Sequence, residues 1–366
     1  MSVLPIACTN CGRAYPETGV PFRCPACGGL YDSSSPLGYD PAQVDLSQPG
    51  IWRYRHTFGF SPDLEPVSLD EGQTPLRWAR AFRRKIAFKC EYMNPSGSFK
   101  DRGSALIAAF LKGRGAREAV EDSSGNAGAS FAAYAPRAGM RARIFVPAAA
   151  SGPKRRQIET YGAELVPIPG TRTDVAEAVK KEAEAGAAYA SHAYLPFNLP
   201  GYATAAYEIY EQLGQMPGAV IVPAGQGGLL LGLARGFESL RIAYSLSIMP
   251  KMVGVQARVC APLWAMFTAG SAGLGFVAEN PTLAEGVRVR YPLRGDAVLA
   301  AMAASRGSMC VADEPEILPA RKALARLGFD VEPTSAIVWS ALEQMLENLP
   351  DPVVVVLTGA GYKYEE

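Results

Sequence analysis

Beyond about residue 70 the chain alternates short β-branched or apolar runs with longer amphipathic stretches, and this rhythm narrows its possible folds more than any other feature. The run 86–90 precedes a helix-like stretch at 104–111; 143–146 precedes 154–161, 165–168 precedes 175–185, and 219–222 precedes 229–237. Near the end, 336–346 is followed by the run 353–357. Strands joined by returning helices pair in parallel, so the expected fold class is α/β with mostly parallel sheet. No fixed-period repeat is visible, and the body is too long for one small sheet. Two open, twisted α/β domains with a cleft between them are therefore expected, and 366 residues with 48% hydrophobic side chains supply the core.

The start of the chain has another character. Cys8-Thr9-Asn10-Cys11-Gly12 and Cys24-Pro25-Ala26-Cys27-Gly28 are C-x-x-C-G knuckles with twelve residues between them, a span that can return as a hairpin and place four thiolates tetrahedrally. Residues 1–35 are read as a zinc ribbon whose four-cysteine set, with no open coordination position, is structural; iron is the other occupant open to it, and a redox thiol pair the other role. Cys90, Cys260 and Cys310 are scattered and read as small buried hydrophobes. Residues 33–70, rich in Pro, Ser and aromatic side chains, read as an irregular arm. Lys plus Arg total 36 against 35 Asp plus Glu, so no net field favours nucleic acid or an acidic membrane. No charged-then-apolar leader and no membrane-length apolar run is seen, and a cytosolic location is expected.

Three segments carry chemistry. Glu91-Tyr92-Met93-Asn94-Pro95-Ser96-Gly97-Ser98-Phe99-Lys100-Asp101-Arg102-Gly103 lies between a predicted strand and a predicted helix, which puts Lys100 at a strand-to-helix turn. A partly desolvated lysine beside a helix N-terminus has its neutral amine favoured, as attack on an aldehyde requires; a solvated surface charge is the plainer reading. Pro223-Ala224-Gly225-Gln226-Gly227-Gly228-Leu229 follows an apolar run and opens a helix, making an anion pocket of backbone N–H groups, or else a tight turn with no ligand. It lacks the lysine of a nucleoside-triphosphate loop and the acidic residue that follows a dinucleotide loop, so a non-nucleotide phosphate fits better. Asp122-Ser123-Ser124-Gly125-Asn126-Ala127-Gly128 can clamp a carboxylate and a ring hydroxyl, or serve as an N-cap. Only two histidines are present, His56 and His192, neither in a Ser/His or Cys/His arrangement, and both read as structural.

Taken together and in this order, these loops resemble the fold-type-II pyridoxal-phosphate enzymes, and Asn94-Pro-Ser-Gly-Ser-Phe-Lys-Asp-Arg-Gly103 looks most like the threonine synthase family. The resemblance runs from Glu-Gly-Gln-Thr-Pro-Leu at 71–76 through Gly-Pro-Lys-Arg-Arg-Gln at 152–157 and Glu-Pro-Thr-Ser-Ala at 332–336 to Leu-Thr-Gly-Ala-Gly-Tyr-Lys at 357–363. It implies a zinc ribbon at 1–35, a larger cofactor-binding domain from 36–110 and 201–366, and a smaller mobile one at 111–200. It further implies that Lys100 carries the cofactor as a Schiff base and then moves protons on substrate carbons. Phe99 would lie against the cofactor ring, Asn126 would bind the ring hydroxyl, and Gly225, Gln226, Gly227, Gly228 and Leu229 would cradle the phosphate. Ser123, Ser124 and Ala127 would hold the substrate carboxylate, and Lys154 and Asn198 would face the rest of the substrate. Thr358 would meet the pyridine nitrogen, where a neutral hydroxyl favours elimination and replacement over transamination. The family also implies a homodimer.

The expected activity is β,γ-replacement on O-phospho-L-homoserine, with water added and phosphate released. The stretch Leu195-Pro196-Phe197-Asn198-Leu199-Pro200-Gly201 departs from the family pattern, with Asn198 in place of an arginine and Pro200 in place of a glutamate. Asparagine offers one neutral amide where arginine offers two charge-assisted bonds. Together with Thr282-Leu283-Ala284-Glu285-Gly286-Val287-Arg288, this leaves open an amino-acid dehydratase, ammonia-lyase or β-replacing synthase acting on serine, threonine or O-phosphoserine. A zinc-ribbon binding protein with an inactive enzyme-like body is the remaining alternative.

Overall fold

The computed structural model describes residues 4–365. Its strands are β1 (Ile6–Cys8), β2 (Tyr31–Ser33), β3 (Leu76–Ala81), β4 (Arg84–Lys89), β5 (Glu118–Glu121), β6 (Arg141–Pro147), β7 (Glu164–Ile168), β8 (Ala188–Tyr189), β9 (Ala219–Pro223), β10 (Lys251–Ala257), β11 (Ser308–Ala312) and β12 (Val353–Val356). Its helices include α1 (Lys100–Gly113), α2 (Asn126–Arg137), α3 (Pro153–Thr160), α4 (Arg172–Glu184), α5 (Leu199–Leu213) and α6 (Gly228–Ala243). Among the described residues no helix is long and apolar enough to cross a membrane. The chain divides into two compact units, one holding residues up to Gly72 with Lys100–Gly201 and Glu365, the other Gln73–Phe99 with Tyr202–Tyr364.

The first unit carries a parallel sheet in the order β7-β6-β5-β8, wound as successive strand–helix–strand turns. Val120, Ile144 and Val146 are fully buried along it, and each such side chain is worth about 1.5–3 kcal/mol over exposure. A capping box between Thr171 and Asp174 starts α4. The ribbon belongs to this unit. Its strands β1 and β2 pair antiparallel, and the knuckles repeat one geometry: Gly12 N–H donates to Cys8 O at 2.9 Å and Gly28 N–H to Cys24 O at 2.8 Å, both glycines at positive φ. Tyr15 packs edge-on to Phe110 of α1 and to Phe197, Phe22 packs on Tyr189 and Tyr194, and Arg23 donates to the Tyr194 hydroxyl at 2.9 Å.

The second unit carries a sheet in the order β11-β10-β9-β12-β4-β3, parallel except for the edge hairpin β3–β4. Between those two strands Phe82 and Arg83 both take positive φ, the backbone of a two-residue hairpin turn. Strand β12 is four buried valines flanked on both sides, the continuous apolar run that a central parallel strand requires. Lys89 is fully buried at the end of β4, where its ammonium pairs with Glu208 at 2.6 Å and donates to Thr74 O at 2.7 Å and Gln212 at 3.0 Å.

The division differs from the sequence expectation at two places: the ribbon 1–35 is not a unit of its own, and the larger domain loses part of its expected N-terminal stretch. Residues 36–72 and all of α1 group with the smaller sheet, not the larger one. The cause is local bonding: Glu65 pairs with Lys112 of α1 at 2.7 Å, the Tyr134 hydroxyl of α2 donates to Glu71 at 2.9 Å, and Arg137 reaches Ser68 O at 3.3 Å. Cys90, Cys260 and Cys310 are buried, as small hydrophobes should be.

Candidate active site

In the first unit Lys100 opens α1, and its side chain is half-buried. Burial depresses its amine to about 8; Glu121 pulls the other way, and Arg172 adds a further downward push. Glu121, at the end of β5, is itself pushed up by burial and then by its neighbour Asp122, while Ser123 N–H donates to its Oε2 at 2.6 Å. Directly after it comes the loop Ser123–Asn126. Gly125 N–H donates to Ser123 Oγ at 3.1 Å, and Asn126 and Ala127 begin α2, where first-turn N–H groups have no partner within the helix. Gly128 faces Ser123 O so closely that no side chain fits there. Sequence reasoning did not find Glu121 or Arg172. The Arg172 guanidinium donates to Asp122 O and pairs with Asp122 Oδ2 at 3.2 Å, which fixes a cation beside this loop.

Asn198 and Lys154 also lie in this unit. Asn198 is buried, and its amide donates to His192 O at 2.8 Å, so it braces the 192–198 loop. Pro200, which replaces an expected glutamate, is the second residue of α5, where a missing N–H costs nothing. Lys154 is half-buried in the first turn of α3.

The second unit gathers the other segments. Phe99 N–H donates to Thr358 O at 3.0 Å, Ala360 N–H to Gly97 O at 3.0 Å, and the Lys363 ammonium to Ser96 O at 2.6 Å, which laces the 94–99 motif to the terminal loop. Thr358 N–H in turn donates to Ser335 Oγ at 2.8 Å, and Gly286 N–H to Thr334 Oγ1 at 3.0 Å. The Gly225–Leu229 loop joins β9 to α6 beside this set. A Cβ on Gly225 would fall 2.8 Å from Gly286 O, and one on Gly227, at φ 79°, 2.5 Å from Val298 Cγ2. Gln226 accepts from Leu293 N–H at 3.0 Å through its side chain, so its backbone N–H is what the loop offers a ligand. The Thr358 hydroxyl is buried and has no hydrogen-bond partner among the described residues.

The four ribbon cysteines converge. Their sulfurs all lie within 4.8 Å of one another, with Cys8 and Cys27 at 3.5 Å and Cys11 and Cys24 at 3.7 Å. A tetrahedron of thiolates about 2.3 Å from a zinc ion has edges of about 3.8 Å.

Comparison with known proteins shows the family. A family profile described as pyridoxal-phosphate dependent enzyme matches residues 67–359. A threonine synthase of Methanocaldococcus jannaschii is 31% identical over 97% of this chain and 92% of its own length, so the match extends into the cysteine-bearing segment. A threonine synthase of Synechocystis is 34% identical over 86% of this chain and 82% of its own. Among solved structures, a T.th. threonine deaminase superposes with a TM-score of 0.66 at 25% identity, covering 80% of this chain and 94% of that one. Fold, motif order and near-full-length similarity converge: the chain belongs to the pyridoxal-phosphate dependent enzyme family, with threonine synthases among the relatives it matches along most of its length.

Proposed function

We propose that the protein is a threonine synthase, converting O-phospho-L-homoserine and water to L-threonine and phosphate, with Lys100 as its cofactor-bearing residue. The observation that carries this reading is the Lys100 amine, placed at a helix start and depressed to about 8, nucleophilic near neutral pH where an ordinary lysine is not. When bound, pyridoxal 5′-phosphate supplies an aldehyde for amines and an electron sink for substrate carbanions.

The chain's own residues divide the remaining work. Lys100 moves protons to and from substrate carbons, and Phe99 lies against the ring. The N–H groups of Gly225, Gln226, Gly227, Gly228 and Leu229 hold the cofactor phosphate at the start of α6. The unpartnered Thr358 hydroxyl supports a hydrogen bond to the ring nitrogen that brings no charge with it, which suits elimination and replacement. Asn126 meets the ring hydroxyl, and Ser123, Ser124 and Ala127 bind the substrate carboxylate. The Asn198 amide gives an N–H to His192 O and carries no charge, so Lys154 and Arg172 supply the cations for the substrate phosphate. The four ribbon cysteines hold structural zinc, supported by the spacing of their sulfurs. The enzyme works as a homodimer in the cytosol.

The ammonia-lyase reading is favoured by one observation, the asparagine at position 198, together with the structural likeness to a threonine deaminase. The assay that separates the two follows phosphate and threonine from O-phospho-L-homoserine with the cofactor-loaded protein. Equal amounts of both are expected; a 2-oxo acid from threonine or serine, with no turnover of the phosphate ester, would replace the first reading by the second. A local test addresses the phosphate loop. Gly227→Ala must place a Cβ at positive φ against Val298, at a cost of about 1–2 kcal/mol in backbone conformation alone. Its dissociation constant for pyridoxal phosphate, read by fluorescence, is expected to rise about tenfold or more, and an unchanged constant would remove this loop from the cofactor site.

A further inference from the structure

Four buried polar side chains of the first unit take no part in the roles above: Asp101, Ser104, Ser130 and His192. They form a line. Ser130 Oγ is 2.6 Å from Asp101 Oδ1 and 2.6 Å from Ser104 Oγ, and Ser104 Oγ is 3.0 Å from His192 Nε2.

The direction of every proton in this line follows from one end. Asp101 lies in the first turn of α1, where the helix dipole favours the carboxylate against the effect of its burial, and its Oδ1 accepts from Ser130 Oγ, as a carboxylate, which only accepts, must. Each hydroxyl has one proton. Ser130 therefore gives its proton to Asp101, Ser104 gives its own to Ser130 Oγ, and Ser104 Oγ is left to accept from His192 Nε2–H. That assigns the ring proton to Nε2 and a lone pair to Nδ1. Burial, and then the nearby Lys100, hold the imidazole well below its ordinary pKa, so a second proton does not join the first.

The line also has a mechanical meaning. Lys100 and Ser104 are four residues apart on α1 and share a face. The same histidine whose ring contacts Ser104 accepts the Asn198 amide at its backbone oxygen. We propose that Asp101, Ser130 and Ser104 form an ordered hydrogen-bond chain that holds His192 as the neutral Nε2–H tautomer and makes it a positioning residue, fixing the Lys100 end of α1 against the 192–198 loop. The link to Lys100 rests on the functional reading above; the proton order does not.

The test begins with cofactor-free protein. The chain has two histidines, and the other, His56, accepts from Asp40 N–H at 3.2 Å through Nε2, so its proton sits on Nδ1. Long-range ¹⁵N–¹H spectra of protein labelled at histidine, assigned with a His56→Gln variant, should show two opposite neutral tautomers, with His192 carrying its proton on Nε2 and not titrating between pH 6 and 9. An imidazolium or an Nδ1–H tautomer at His192 would overturn the ordered chain. Asp101→Asn, whose amide can donate, should reverse the order and move the His192 proton to Nδ1; Ser104→Ala, which cuts the line in the middle, should remove the Nε2 preference without altering the buried carboxylate. The second readout is the rate at which cofactor-free protein captures pyridoxal phosphate, followed by absorbance. Variants that keep the wild-type circular dichroism spectrum but have lost the Nε2–H tautomer should capture it at least about tenfold more slowly. Capture at the wild-type rate would overturn the positioning role. Wild-type protein that captures no cofactor at all would overturn both that role and the functional reading, while leaving the tautomer result to stand alone.

Discussion

Replacing Lys100 by alanine is expected to lower turnover of O-phospho-L-homoserine by at least about 10³-fold, because the side chain is assigned both cofactor attachment and proton transfer. The depressed amine gives this a pH signature. With a pKa of about 8, roughly a tenth of the lysine is neutral at pH 7, about 200- to 300-fold more than for an ordinary lysine. The direction is set by which form reacts. Below about pH 8 the ammonium dominates, so capture of pyridoxal phosphate by cofactor-free protein should rise about tenfold per pH unit and level off above pH 8. Stopped-flow absorbance measures it, with Lys100→Ala as the blank. A variant that kept turnover within tenfold of wild type, or a capture rate still climbing at pH 10, would remove Lys100 from the centre of the chemistry.

Cys24→Ser is expected to have the second largest effect, on stability. A structural zinc site of this kind contributes an apparent 10–16 kcal/mol or so to folding in small peptides, and three thiolates with one hydroxyl hold zinc far more weakly than four thiolates. Cys24 is buried with Cys8 and Tyr31 in the ribbon's own small core, which has little apolar area to replace the metal. Loss of the ion should therefore unfold the ribbon and strip Tyr15 and Phe22 from Phe110, Phe197, Tyr189 and Tyr194. Elemental analysis should find about one zinc per wild-type chain and almost none in the variant, and limited proteolysis should cut the variant within residues 1–35. Metal-free wild-type protein of full thermal stability would contradict the structural role.

The parts of the fold that were legible in the sequence are those whose environment writes a local pattern. Strands β6, β9 and β12 appear as apolar runs because they are mostly covered, and the helices after β6 and β7 as amphipathic stretches because one face is not; β7, half-buried at the sheet edge, still shows through Leu165, Val166 and Ile168. Of the edge hairpin, β4 was legible as the run 86–90, but β3 and the turn were not. Leu76-Arg77-Trp78-Ala79-Arg80-Ala81 alternates too weakly, and its turn uses Phe82 and Arg83 where glycine or asparagine would have signalled positive φ. The start of α5 was hidden by Pro200 and Gly201, which look like loop residues until Pro200 is seen in the first turn. Of the candidate site, the cysteines stood out by their spacing, and Lys100 and the glycine loop by motifs whose roles the family resemblance implied. Glu121, Arg172 and the proton order at His192 were not, because they depend on side chains that meet only after folding, such as Ser104 and His192 at 88 positions apart.

The position of β12 bears on how the molecule comes into being. It is the last strand in sequence among the described residues, yet it lies between β9 and β4, and Thr358 follows two residues after it. Until residues 353–356 have been made, β4 and β9 must each wait with an open edge that only this strand can fill. The closing of that sheet and the arrival of the Thr358 hydroxyl fall at nearly the same moment, so a nascent chain cut short before residue 353 is left with open edges prone to stick to other chains and without the residue assigned to the ring nitrogen.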